Sequence, residues 1–256
     1  MLKLENISLT FNPGTVNEKK ALTNLSLHLH KGDFVTILGS NGAGKSTLFN
    51  TIAGTYTPDS GKVLYDGRDM VTITKKERLL LRREMGMLFQ SAALFDSMSV
   101  LENVMFPLDM FSDMNSDDRL KRARFCLERV NMLDAQYKSP SELSGGMQKR
   151  AAIARAIALE PRYLFCDEPN SGLDPQTSLI IDELIHNITE EYNITTIVNT
   201  HDMNSVMGIG DYIIFLAGGH KSWEGTKDDI LHTDNKQLNE FLFSSDLLRK
   251  VKKSGK

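Results

Sequence analysis

A short apolar run, Phe34-Val35-Thr36-Ile37-Leu38, leads directly into Gly39-Ser40-Asn41-Gly42-Ala43-Gly44-Lys45-Ser46-Thr47. Together they leave few folds open. An unbroken apolar run suits a strand buried on both faces, as in a parallel sheet covered by helices. The following loop has the pattern of Gly, four residues, then Gly-Lys-Ser, which wraps phosphates between a strand and a helix. Glycine lets the backbone approach an anion without Cβ clashes, and the amides that open the helix face that anion. Lys45 would reach the outer phosphates, and the Ser46 hydroxyl is a hard oxygen ligand suited to Mg²⁺.

The rest of the chain supports an α/β architecture. Tyr163-Leu164-Phe165-Cys166 and Thr195-Thr196-Ile197-Val198 are further buried-strand runs, and helical patterns lie at about 45–53, 75–84, 116–130, 145–159 and 175–191. The N-terminal third alternates instead. Leu2 and Leu4, then Ile7, Leu9 and Phe11, recur at every second position with a phase break at Asn6. Leu25, Leu27 and Leu29 alternate again, with His28 and His30 on the wetter face. This predicts antiparallel strands, separated by a polar loop opened by Asn12-Pro13-Gly14. Tyr212 to Ala217, Gly218-Gly219 and His220 to Glu224 read as a hairpin. The tail from about 235 has a helical pattern and ends in Arg249, Lys250, Lys252, Lys253 and Lys256.

Composition excludes several alternatives. A net charge of −3 argues against a nucleic-acid binder held by a broad basic face. No apolar run reaches the roughly 18 residues of a membrane span, and Met1-Leu2-Lys3-Leu4-Glu5 lacks the apolar core of a signal peptide. Cys126 and Cys166 have no metal-ligand spacing and read as buried apolar residues of a reducing compartment.

Two acids, Asp167 and Glu168, follow the run ending at Cys166. Acids there lie at the carboxyl edge of the sheet, where ligands bind in open α/β folds. Asp167 suits a Mg²⁺ held through water, and Glu168 suits a base that polarises an attacking water. Leu143-Ser144-Gly145-Gly146-Met147-Gln148 opens another helix, with Met147, Ala151, Ala154 and Ala158 on one face. Its start is a second anion site.

With these motifs the chain resembles the ATP-binding cassette (ABC) ATPases. The resemblance covers nearly the whole chain, and its motifs occur in order. It implies the P-loop NTPase fold of that family, with a parallel core sheet, an N-terminal antiparallel β-subdomain and an inserted helical subdomain at about 93–158. Residues 1–235 would form a single ATPase domain, and 236–256 a helical extension and basic tail. It implies ATP and Mg²⁺, and a head-to-tail dimer in which Ser144, Gly145, Gly146 and Gln148 of one copy meet the γ-phosphate held by the other. Gln90, after Met87-Leu88-Phe89, resembles the Q-loop glutamine that contacts Mg²⁺ and water. Ser171-Gly172-Leu173-Asp174 resembles the D-loop, and His201 the switch histidine. Phe11 resembles the adenine-stacking aromatic, with core packing as the alternative because it continues the Ile7, Leu9 alternation. Asn170 stands where the family commonly has Thr or a small residue.

The subfamily resemblance is divided. From about residue 68 onward, and most clearly from Arg82 to Met98, the chain is similar to ATPases of Mla-type phospholipid transporters. Those work with a permease, an MCE lipid-binding protein and often a STAS-domain subunit. Residues 1–54 look more like ATPases of small-solute or amino-acid uptake systems, which leaves open a divergent member or a recombinant with a seam near Gly54 to Ser60. A soluble ABC ATPase of DNA repair or translation is the third class, but it would carry long coiled coils or two cassettes. The resemblance implies a cytoplasmic protein held on the inner (cell) membrane by its permease. Phe95, Met98, Met105, Phe106, Met110, Phe111 and Met114 form either a docking groove for that permease or the core of the helical subdomain.

Overall fold

The structure, a computed structural model, describes residues 1–242. The basic tail expected at the C-terminus lies outside the described residues beyond Leu242. Elements are numbered along the chain. The polypeptide folds into two compact units.

The first unit contains Met1–His30, Val35–Thr72 and the described residues from Asn199 onward. β1 (Leu2–Phe11) and β2 (Lys19–Leu29) pair antiparallel, Leu2 opposite Leu29 and Leu4 opposite Leu27. The phase break at Asn6 is a register shift between Leu4 and Ile7, and Asn6 takes φ +51°. Asparagine tolerates that left-handed conformation, and the bulge keeps Leu2, Leu4, Ile7 and Leu9 all buried. β3 (Phe34–Gly39) runs into the phosphate loop and α1 (Lys45–Ile52). β4 (Ser60–Tyr65) and β5 (Arg68–Asp69) complete a sheet of order β2-β1-β4-β5. Neither is legible in the sequence, because β4 opens with three exposed residues and β5 has only two.

β9 (Tyr212–Ala217) lies parallel to β3, with Gly39 opposite Leu216, and turns at Gly218-Gly219 into β10 (His220–Thr226). Leu38, Val206, Ile213, Phe215, Ile230, Leu238 and Leu242 form one buried cluster, which draws in α7 (Met203–Ile209), α8 (Lys227–His232) and α9 (Lys236–Leu242).

The second unit contains Lys31–Phe34 and Ile73–Val198. It holds α2 (Lys75–Arg83), β6 (Met85–Leu88), α3 (Val100–Phe111), α4 (Ser116–Arg129), α5 (Gly145–Ala156), β7 (Tyr163–Asp167), α6 (Pro175–Tyr192) and β8 (Thr195–Asn199). β6 and β7 pair in parallel, and the strand order is β8-β7-β6. β7 is buried from Tyr163 to Cys166 and β8 throughout, as unbroken runs should be.

α3 is hidden in the sequence because Pro107 sits inside it and removes a ladder donor. A Ser99–Glu102 capping box starts it. Val100, Leu101, Val104 and Leu108 supply its buried side, and Ala123, Cys126 and Leu127 that of α4. The core is therefore filled by these residues and not by the Phe and Met residues. Phe95, Met110 and Met114 are exposed, and Met98, Met105, Phe106 and Phe111 are half-buried. Cys126 and Cys166 are buried and unbonded, and burial pushes the Cys126 thiol up to about 11.

Candidate functional site

The first unit holds Phe11, the loop from Gly39 to Thr47, and His201. Strand β3 delivers the loop, and α1 receives it with Gly44 as N-cap at φ +104°. A Cβ at Gly44 would stand 2.7 Å from the Ala21 carbonyl, so both conformation and space demand glycine. The Lys45 side chain folds back over the loop. Its Nζ donates to the carbonyls of Gly39 at 2.8 Å and Ser40 at 3.3 Å, and the residue is only 7% exposed. Ala43 N–H bonds the Ser40 carbonyl at 3.1 Å. Ser40, Asn41, Gly42 and Ser46 form an exposed rim. The loop is thus closed around its own lysine.

His201 is tied to the same strand. Thr200 N–H donates to the Ile37 carbonyl at 3.2 Å, and Asp202 N–H donates to Thr200 Oγ1 at 3.0 Å. Asp202 then caps α7. These bonds hold the exposed His201 in a segment fastened to the strand that feeds the phosphate loop. Phe11 is half-buried at the end of β1 and meets Tyr56 edge-on at 5.5 Å between centroids.

The second unit holds Gln90, the 144–148 segment, Asp167, Glu168 and Asp174. β7 ends at Asp167, and Glu168 takes φ +47°. A non-glycine residue held there stores on the order of 1–3 kcal/mol of strain. The next turn is locked from below: the buried Asn170 donates to Asp182 of α6 at 2.8 Å. Gln90 Nε2 donates to Ser171 Oγ at 3.0 Å, which joins two loops 81 positions apart in the sequence.

Ser144 caps α5, its Oγ accepting from Met147 N–H at 3.4 Å. Ser144 and Gly145 are exposed, whereas Gly146 is buried, and a Cβ there would stand 2.6 Å from Thr177 Cγ2. Asp174 caps α6 through the N–H groups of Gln176 and Thr177, and the Thr177 hydroxyl also donates to it. The Thr177 bonds hold its carboxyl below the usual range. Gln148 donates to the Pro140 carbonyl at 3.0 Å.

Two residues of this unit have no signal in the sequence. Lys149, buried in α5, donates to the backbone carbonyl of Gln90 and lies 3.5 Å from that of Glu168. Burial lowers its pKa, and the nearby Cys166, Asp167 and Glu168 oppose that shift. One ammonium thus clamps the backbones of two site residues. Asn103 does similar work on the segment after Gln90. It accepts from Phe95 N–H at 2.8 Å and donates to the carbonyls of Phe95, Met98 and Ser99. Replacing Lys149 by Met should lower kcat for any turnover at this site about tenfold while leaving ligand affinity within a factor of about two, because misplacement costs rate before binding. Steady-state kinetics beside ligand titration would check this, and Lys149→Arg should recover most of the loss.

Against this geometry, residues 22–171 match the family described as ABC transporter. This chain belongs to the ABC transporter family. The cassette is 38% identical over 235 residues to the intermembrane phospholipid transport system ATP-binding protein MlaF of Haemophilus influenzae, covering 92% of this chain and 88% of that one. It is also 38% identical over 255 residues to the methionine import ATP-binding protein MetN of Carboxydothermus hydrogenoformans, covering 98% of this chain and 75% of the relative. Among solved structures, the dimeric ATP-binding cassette MJ0796 bound to ADP and Pi aligns with TM-score 0.80 and 35% identity, over 89% of this chain and 99% of that one. CbiO1 of Clostridium perfringens, part of the cbiONQ ABC transporter complex, aligns with TM-score 0.83 and 30% identity over 98% of both chains. The cassette is an ATPase, the ATP-binding subunit of an ABC transporter. No helix among the described residues is long and apolar enough to cross a membrane.

Proposed function

We propose that this cassette hydrolyses ATP to drive phospholipid transport through a membrane permease of the Mla type. Two copies would close head to tail over two nucleotides. Ser144, Gly145 and Gly146 of one copy then meet the phosphates held by Lys45, Ser46 and Thr47 of the other. The exposure of Ser144 and Gly145 at a capped helix start supports that role. Glu168 polarises the attacking water and His201 contacts the γ-phosphate, while the phosphate-loop amides and Lys45 stabilise the charge that spreads over it.

Ser46, Gln90 and Asp167 would hold Mg²⁺. Their hard oxygen donors suit that ion, and Gln90 spends its amide nitrogen on Ser171, which leaves Oε1 as an acceptor. When bound, the ion neutralises phosphate charge. Asp174 caps the start of α6, where Leu173 and Thr177 lie close to Gly145 and Gly146. Phe11, with Tyr56 at its edge, offers an aromatic edge and face to adenine.

The observation that carries the phospholipid reading is the groove of about 590 Å³ in the second unit, lined by Met85, Met87, Phe89, Phe95, Phe106 and Phe111 among others. It is an adaptable apolar surface. Four of those six residues lie within 82–98, the stretch that most resembles the Mla-type enzymes. A permease would dock there, with MCE and STAS-domain subunits reached through the assembly. Uptake of an amino acid is the second reading, favoured by the equal 38% identity to the methionine import relative.

The test is partner capture. Tagged Glu168→Gln cassette, held with Mg·ATP, is incubated with detergent-solubilised bacterial membranes that contain both kinds of permease. We expect an MCE-associated permease to be retained, and Phe106→Ser to lose it. Retention of a solute permease instead would move the assignment to uptake.

A further inference from the structure

One surface of the second unit takes no part in nucleotide chemistry. α2 carries five cations, of which Lys75 and Lys76 stand exposed at its start beside the helix's own acid, Glu77, in a chain whose net charge is −3. That acid is already committed. Glu77 Oε2 accepts from both the N–H and the hydroxyl of Thr74, each at 2.8 Å, in a capping box. Leu81 alone is buried and anchors the helix. At about 100° per residue, Leu79 falls between Lys75 and Arg83 on the face opposite Leu81, with Lys76 and Leu80 beside them. Leu79 is 50% exposed and Leu80 47%. Adjacent exposed leucines among cations form the pattern of a helix lying at a lipid interface, where stems and leucines sink and charges meet headgroups.

We propose that α2 rests on the anionic phospholipid headgroups of the leaflet that surrounds the permease. Lys75 and Lys76 engage lipid phosphates, and Leu80 enters the acyl boundary beside them. The occupant follows from charge complementarity: a cluster of cations flanked by apolar side chains matches an acidic, partly apolar surface. The surface is also continuous with the proposed permease dock, since Leu79, Arg82 and Arg83 line the same groove as Phe95 and Phe106. In that respect the inference rests on the permease reading. The contact would set the height of the cassette at the membrane independently of the permease itself.

Vesicle cosedimentation of the full chain, with no permease present, tests it. The probes are vesicles of phosphatidylcholine with phosphatidylglycerol, and of phosphatidylcholine alone. Binding should require the anionic lipid and weaken as salt rises. Lys75→Gln combined with Lys76→Gln should lower the partition coefficient about 30-fold, and Leu80→Ser should lower it severalfold. Neither variant should alter ATPase activity in solution, which shows that each is folded. Equal binding to both vesicle types, or α2 variants that bind like the wild type, would overturn the proposal. So would a Phe106→Ser chain that loses all vesicle binding, since the groove would then be the lipid contact. If the α2 variants keep vesicle binding but lose permease capture in detergent, α2 is a protein contact and the lipid proposal fails. Failure of the permease reading alone appears differently, as lipid binding through α2 with no permease retained.

Discussion

Glu168→Gln should bind ATP as the wild type does, accumulate as a nucleotide-bound dimer and turn over about 10²–10⁴-fold more slowly, the usual worth of a positioned general base. Glutamine keeps the length and shape of the side chain and removes only its basicity. The surroundings that position it remain in place: the left-handed backbone at φ +47°, the Lys149 ammonium 3.5 Å from its carbonyl, and the Asn170–Asp182 bond two residues on. Binding and chemistry should therefore separate cleanly. Size-exclusion chromatography with Mg·ATP should show a dimer for the variant and a mixed population for the wild type. Phosphate release should show the rate loss. Hydrolysis near the wild-type rate would remove Glu168 from the mechanism.

Lys45→Ala should weaken ATP binding by roughly 10²–10³-fold, about 3–4 kcal/mol, the middle of the range for truncating one member of a desolvated, hydrogen-bonded charge pair. Lys45 is 7% exposed, and its amine is held by the Gly39 and Ser40 carbonyls. The wild type therefore spends little ordering on binding, and all of that advantage goes with the side chain. Those two carbonyls also lose a donor, so the apo protein should be destabilised by about 1–2 kcal/mol. Linkage distinguishes the two effects. At ATP near about 100 times the wild-type Kd, nucleotide should stabilise the wild type by about 2.7 kcal/mol and the variant scarcely at all. Denaturant unfolding with and without Mg·ATP measures both numbers. An unchanged nucleotide-induced shift would count against the phosphate role of Lys45.

What is legible in the sequence is local. The phosphate loop lies in nine contiguous residues, and its geometry follows from glycine at Gly44 and a lysine that folds back over six positions. The buried strands β3, β7 and β8 announce themselves because a strand covered on both faces has no polar side to alternate with. Even the bulge at Asn6 is visible as a broken alternation. These features depend on neighbours within one element.

The tertiary structure decided the rest. α3 holds a proline where propensity forbids a helix, and it persists because Val100, Leu101, Val104 and Leu108 are buried against its neighbours. Whether the Phe and Met residues form core or surface depended on which other side chains fill the subdomain, and no periodicity reports that. Gln148 donates its amide to the Pro140 carbonyl, a partner that no local pattern announces. The clamp at Lys149 is the clearest case. Its carbonyl acceptors lie 59 and 19 positions away along the chain. A lysine carries the same three donors wherever it stands, so only the fold chooses the carbonyls that satisfy them.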